Sequence, residues 1–148
     1  MSPGSGTGPD RREFLCGIAA LALPIRFASG LSGWGAEVTY AIPAEDGVTI
    51  DKEHEAILVR HQGSVYAFGL SCPHQKTPLR WQEAAHRFQC PKHKSAFQPD
   101  GAFIEGRATR NMDRYHIRRD GEKVVVDLAK LYREDENRNE WIGAVVQL

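Results

Sequence analysis

The sequence predicts an all-β domain, an antiparallel barrel or sandwich, followed by a helical tail. Three observations carry this. Short stretches alternate apolar and polar residues, as half-buried strands do. Turn signals at Asp46-Gly47, Pro99-Asp100-Gly101 and Asp120-Gly121 break them at close intervals. Helix formers enrich the last stretch, Ala129 to Leu148. At 148 residues the chain suits one domain with its own core.

In order, Val38 to Ile42 alternates, and Asp46-Gly47 turns the chain into Val48-Thr49-Ile50. Ala56 to Arg60 and Val65 to Leu70 read as a hairpin around His61-Gln62-Gly63-Ser64. Arg87-Phe88-Gln89, Ala96-Phe97 and Ala102-Phe103-Ile104 are short strands. Tyr115 to Arg119 and Lys123 to Leu128 form a further hairpin around Asp120-Gly121. In the tail, a charged run from Arg133 to Glu140 separates apolar clusters, and Trp141 to Val146 is expected to cover the barrel. The expected boundaries are a leader at 1–36, the β domain at 37–128 and the tail at 129–148.

Composition excludes more than it assigns. Lysine plus arginine and aspartate plus glutamate are 19 each, so bulk charge favours neither nucleic acid nor a membrane surface. Three cysteines, one of them Cys16 near the start, offer no disulfide framework. The other two sit in Cys72-x-His74 and Cys90-x-x-His93, fifteen residues apart, each cysteine followed by a proline. Two thiolates and two imidazoles suit zinc or iron–sulfur chemistry, not calcium or magnesium. A Cys₂His₂ zinc site normally pairs like with like in each knuckle, whereas both pairs here are mixed. His54, His61, His86 and His116 have no partner at ligand spacing.

The C-P-H and C-P-x-H loops resemble those of the Rieske [2Fe–2S] family, and the likeness extends over about Val38 to Leu128. The resemblance implies a small antiparallel β core with an inserted cluster-binding subdomain. It implies that Cys72 and Cys90 hold the buried iron, and His74 and His93 the solvent-side iron. Members from cytochrome bc-type complexes join the loops by a disulfide whose positions are Thr77 and Lys92 here. The loops are then held by packing and backbone hydrogen bonds, aided by Pro73, Pro78 and Pro91. Ser95 falls where high-potential members place a hydroxyl donor to the cluster; where they place a tyrosine donor, this chain has Phe97. Losing a donor lowers the potential within a family range of roughly −150 to +300 mV, so an intermediate value is expected. Reduction adds negative charge and raises the imidazole pKa values, coupling electron uptake to proton uptake at alkaline pH.

Two features bear on partner and location. Lys76, Lys92, Lys94, Arg107 and Arg110 lie in or beside the tip loops, which suggests docking on an acidic partner. Arg11-Arg12-x-Phe14-Leu15 before the apolar run Leu15 to Ile25 resembles a twin-arginine export signal, implying a periplasmic protein. The run is shorter than the about 20 residues that span a bilayer. If uncleaved, the leader would still associate the protein with a membrane. The chain offers no catalytic dyad, so it is expected to carry single electrons for a larger redox subunit or cytochrome. The resemblance is to the small subunit of arsenite oxidase or to a divergent cytochrome bc-type subunit. The alternatives are a soluble Rieske ferredoxin of an oxygenase system and a zinc-stabilised binding module.

Overall fold

The computed structural model describes residues 36–148. The leader expected over residues 1–36, with Arg11, Arg12 and Cys16, lies outside the described residues apart from Ala36. Among the described residues no helix is long and apolar enough to cross a membrane.

Strands β1 (Glu37–Ala41), β2 (Gly47–Asp51), β3 (Ala56–His61) and β4 (Ser64–Gly69) come first. Next come β5 (Arg80–Gln82), β6 (Arg87–Gln89), β7 (Ala96–Phe97) and β8 (Phe103–Glu105). The chain closes with β9 (Arg114–Asp120), β10 (Lys123–Tyr132), helix α1 (Arg138–Gly143) and β11 (Val146–Gln147). The larger sheet runs β1-β10-β9-β4-β3-β2, with β11 added on β4. The smaller sheet, β5-β6-β7-β8, is inserted between β4 and β9. All named pairings are antiparallel, and the described residues form the expected all-β architecture, with one short helix, α1.

Strand β3 shows why the sequence can be continuously apolar there. Ile57 and Val59 enter a core shared with the small sheet, alongside Phe68, Phe88, Phe97, Cys72 and Cys90. The alternate residues Ala56 and Leu58 point into a second core with Val65, Val124, Val126 and Val146. Successive side chains face opposite ways along a strand, and here both faces are buried.

The tail departs from the expected helix. β10 continues to Tyr132 past a register shift between Asp127 and Leu131. Helicity in the tail is confined to Arg138–Gly143, and β11 then pairs with β4 at Val65 and Ser64. The charged run that looked helical mostly forms local ion pairs, such as Arg133 with Asp135 and Glu136. Trp141 does cover the barrel: its indole donates to the Met112 carbonyl at 2.8 Å. The buried Arg114 guanidinium lies 3.7 Å from the centre of the Trp141 ring and donates to the Trp141 and Asp100 carbonyls. A guanidinium over an aromatic face, hydrogen-bonded to carbonyls, is a tolerable buried cation. Nothing in the local pattern R-Y-H-I-R-R-D distinguishes it from its exposed neighbours.

The end strands β1 and β2 do not pair, but a side-chain latch joins them. Tyr40 on β1 donates to Asp51 at the end of β2 at 2.9 Å. His54 Nδ1 sits 2.7 Å from the same oxygen, and the Glu53 and His54 amides donate to the other. The His54 side-chain hydrogen bond, with the backbone amide and Tyr40 adding to it, holds the Asp51 carboxyl at about 2, below the ordinary 3.8. A depressed carboxyl stabilises the fold above its unfolded-state pKa, and that contribution fades as pH falls towards about 2. Asp51→Asn should therefore cost about 1–2 kcal/mol at neutral pH. The gap between wild type and variant should close between pH 4 and pH 2 in urea melts. A pH-independent gap would contradict the latch.

Candidate metal centre

From the end of β4 at Gly69 the chain passes through Leu70 and Ser71 into the first loop, which a bridge between Ser71 and Pro78 closes. The second loop joins β6 to β7 and is closed by the Gln89–Ala96 pair. The two loops share one hydrogen-bond frame. In the first, the Cys72 amide donates to the Thr77 carbonyl at 2.8 Å and the Lys76 amide to the Cys72 carbonyl at 3.0 Å. In the second, the Cys90 amide donates to the Ser95 carbonyl at 2.8 Å and the Lys94 amide to the Cys90 carbonyl at 3.0 Å. Pro73 and Pro91 follow the cysteines and fix φ at the start of each turn.

This frame sorts the four donors by depth. Cys72 and Cys90 are free thiols, 1% and 0% exposed, within the shared core. His74 is exposed and His93 half-buried, with ring centroids 5.1 Å apart at 81°. Burial pushes the Cys72 thiol up; the His74 and Gln75 amides oppose this, and the nearby Cys90 adds to it. The His93 Nδ1 atom is buried and has no hydrogen-bond partner among the described residues. Burial pushes its imidazole down, with Arg107, His74 and Lys92 adding to the shift.

These residues fit a binuclear iron–sulfur group. Buried polar atoms are almost always satisfied, so an orphaned ring nitrogen in the same loop as the buried Cys90 thiol marks a site built for something else to bind. Among the described residues no three histidine, cysteine, aspartate or glutamate side chains converge on one ion position. Two irons with two protein ligands each require no such convergence.

The surrounding residues are equally specific. Ser95 is fully buried, and its Oγ accepts the Arg107 and Ala108 amides, each at 3.0 Å. Both bonds use the oxygen as acceptor, which leaves its proton free to donate. Gly106 makes this approach feasible. Its φ is +111°, and a Cβ there would lie 2.4 Å from Ser95 Cα. Phe97, also fully buried, packs edge-on against Phe103 and supplies no hydroxyl.

Of the five basic residues expected at the tip, Lys76, Lys92, Lys94 and Arg107 are exposed. Arg110 is not available for docking. It binds both oxygens of Asp113 at 3.0 Å, reaches Asp135 at 3.5 Å and contacts the Pro73 carbonyl. Its carboxylate partners lie after the loop motif, so loop proximity alone misplaced it. The amides that bind Ser95 were also invisible in the sequence, because a backbone N–H carries no residue-type signal; Gly106 was the available clue.

A family model of the Rieske [2Fe-2S] domain matches residues 40–126. The chain belongs to the Rieske [2Fe–2S] family. Members bind a [2Fe–2S] cluster. The chloroplastic cytochrome b6-f complex iron-sulfur subunit of Bigelowiella natans is 27% identical over 96 residues, 65% of this chain and 33% of that protein. The corresponding subunit of Prochlorococcus marinus (strain MIT 9515) is 29% identical over 90 residues, 57% of this chain and 49% of that protein. The chain thus spans between a third and a half of the length of these relatives. Among solved Rieske structures, the plasma membrane protein PetC3 from Synechocystis PCC 6803 aligns with a TM-score of 0.45 at 23% identity. That alignment covers 54% of this chain and 83% of PetC3. The ferredoxin of carbazole 1,9a-dioxygenase from Nocardioides aromaticivorans IC177 aligns with a TM-score of 0.43 at 20% identity, covering 63% and 98%.

Proposed function

We propose that this Rieske protein is a one-electron carrier between a larger redox subunit and an acceptor such as a cytochrome. Cys72 and Cys90 would hold the inner iron of the cluster, and His74 and His93 the outer iron. The observation that carries the reading is the depth sorting: each loop pairs a buried thiol with a more exposed imidazole, the two imidazoles lie against each other, and one has an orphaned Nδ1. When bound, the group supplies a reversible one-electron couple. The chain's residues do the rest. The paired loop frames orient the ligands, the Phe88 and Phe97 side chains keep water from the thiolates, and the outward imidazoles take up or release a proton as charge changes. The relatives named as cytochrome b6-f iron-sulfur subunits support service to a larger complex.

Periplasmic location by twin-arginine export belongs to the same proposal and rests on Arg11, Arg12, Phe14 and Leu15. The test has two parts. Visible and reduced-state electron paramagnetic resonance spectra of the purified chain should show a histidine-ligated [2Fe–2S] signal; a colourless zinc protein would overturn the carrier reading. Replacing Arg11 and Arg12 by lysine should trap the protein in the cytoplasm; unchanged distribution would favour a soluble ferredoxin instead.

A further inference from the structure

Five non-glycine residues among the described ones have positive φ, and two occupy the same place in the two ligand loops. Lys76 has φ 43° and Lys94 has φ 60°, each four residues after its cysteine and each donating its amide to that cysteine's carbonyl. This is the left-handed region, where a Cβ clashes with the following carbonyl and glycine sits without penalty. The loop needs that conformation to close its frame; it does not need a lysine to adopt it. Left-handed backbone held at a non-glycine residue beside a functional site points to a use for the side chain.

The surroundings say what the use is. The loops Cys72–Thr77 and Cys90–Ser95, and the adjoining stretch from Gly106 to Arg110, contain no acidic residue. Among the described residues none of Lys76, Lys92, Lys94 and Arg107 enters an ion pair. All four are exposed; three of them share the two loops with His74 and His93 and Arg107 lies in the adjoining stretch, in a chain with no net charge overall. We infer that Lys76 and Lys94 are the matched anchors of a docking surface for an acidic redox protein. That partner presents carboxylates around its own electron-entry edge, and the strained lysines steer it onto the two histidines. The inference rests on the carrier reading above and adds the chemistry of the partner.

The test uses small redox probes of opposite charge on the full-length cluster-loaded protein. One electron passes from the reduced protein to trianionic ferricyanide, giving oxidised protein and ferrocyanide. The polypeptide has no net charge and reduction makes the cluster negative, so a rate to an anion that falls with salt reports local positive charge. The rate should fall about tenfold between low and physiological ionic strength. It should rise with salt for the tricationic tris(phenanthroline)cobalt(III) complex. The double variants K76G/K94G and K76Q/K94Q should both reduce the ferricyanide effect to about threefold. Only the glycine pair should also melt higher, by about 3 °C per site, because it relieves the strain while glutamine retains it.

An unchanged salt slope in both double variants would overturn the docking role. Equal melting temperatures of the glycine and glutamine pairs would overturn the strain. A preparation without cluster absorption would instead sink the carrier reading. In that case the melting comparison still decides whether the lysines are held at a cost, and binding to poly-glutamate decides whether they attract carboxylates.

Discussion

Cys90→Ser should abolish the visible absorption of the protein and its iron content together. Cys90 is fully buried, its amide closes the second loop, and its sulfur lies in the core shared by both sheets. A serine hydroxyl is a poor soft-metal ligand, and its polar oxygen would be left in an apolar pocket. Metal binding contributes directly to the stability of small metal domains, so the variant should also melt lower. The second core, around Val65, Val124 and Val126, does not include Cys90. Strand content by circular dichroism should therefore survive, separating cluster loss from wholesale unfolding. A folded variant with full iron and an unchanged spectrum would remove Cys90 from the ligand set.

Gly106→Ala should destabilise the fold by about 2–4 kcal/mol in urea melts. Two effects add. Its φ of +111° strains any side chain, and the new Cβ would lie 2.4 Å from Ser95 Cα and 2.8 Å from both its nitrogen and its Oγ. The clash is with backbone, which cannot rotate away. Gly121 supplies the control: its φ is +60°, but a methyl group placed there would meet nothing within 4 Å. Alanine there should cost about 1 kcal/mol, the conformational penalty alone. If the two variants lost the same stability, the contact with Ser95 would carry no weight. In the loaded protein, Gly106→Ala should also shift the reduction potential through the displaced Ser95 hydroxyl, while Gly121→Ala should not.

The strand pattern was legible wherever one face alternates or a turn signal intervenes. β1 to β4 and the β9–β10 hairpin lie within a residue or so of where alternation and turn residues put them, except that β10 runs on. β5 was missed because three residues, Arg80-Trp81-Gln82, are too few to show a period. β11 was missed for a different reason: Val146 and Gln147 become a strand only through distant Val65 and Ser64. The ligand pairs were legible as a pattern, since residue types at short spacing are all such a motif needs. Their depth was implied by the family resemblance and not by the residues themselves, because it depends on which side of a loop faces the core. The left-handed lysines gave no warning, since lysine has no preference for that region.

The β5–β6 hairpin has a consequence for how this centre is searched for in other sequences. Each ligand loop closes on its own backbone, and the turn at Glu83–Ala85 between them is exposed and contributes nothing to either closure. The fifteen residues separating the ligand pairs thus record the reach of a hairpin. Adding or removing residues in twos at its tip would keep Trp81 opposite Phe88 and leave both frames intact. A homologue could depart widely from this separation and still build the same centre, so a search keyed to fixed spacing would pass over it.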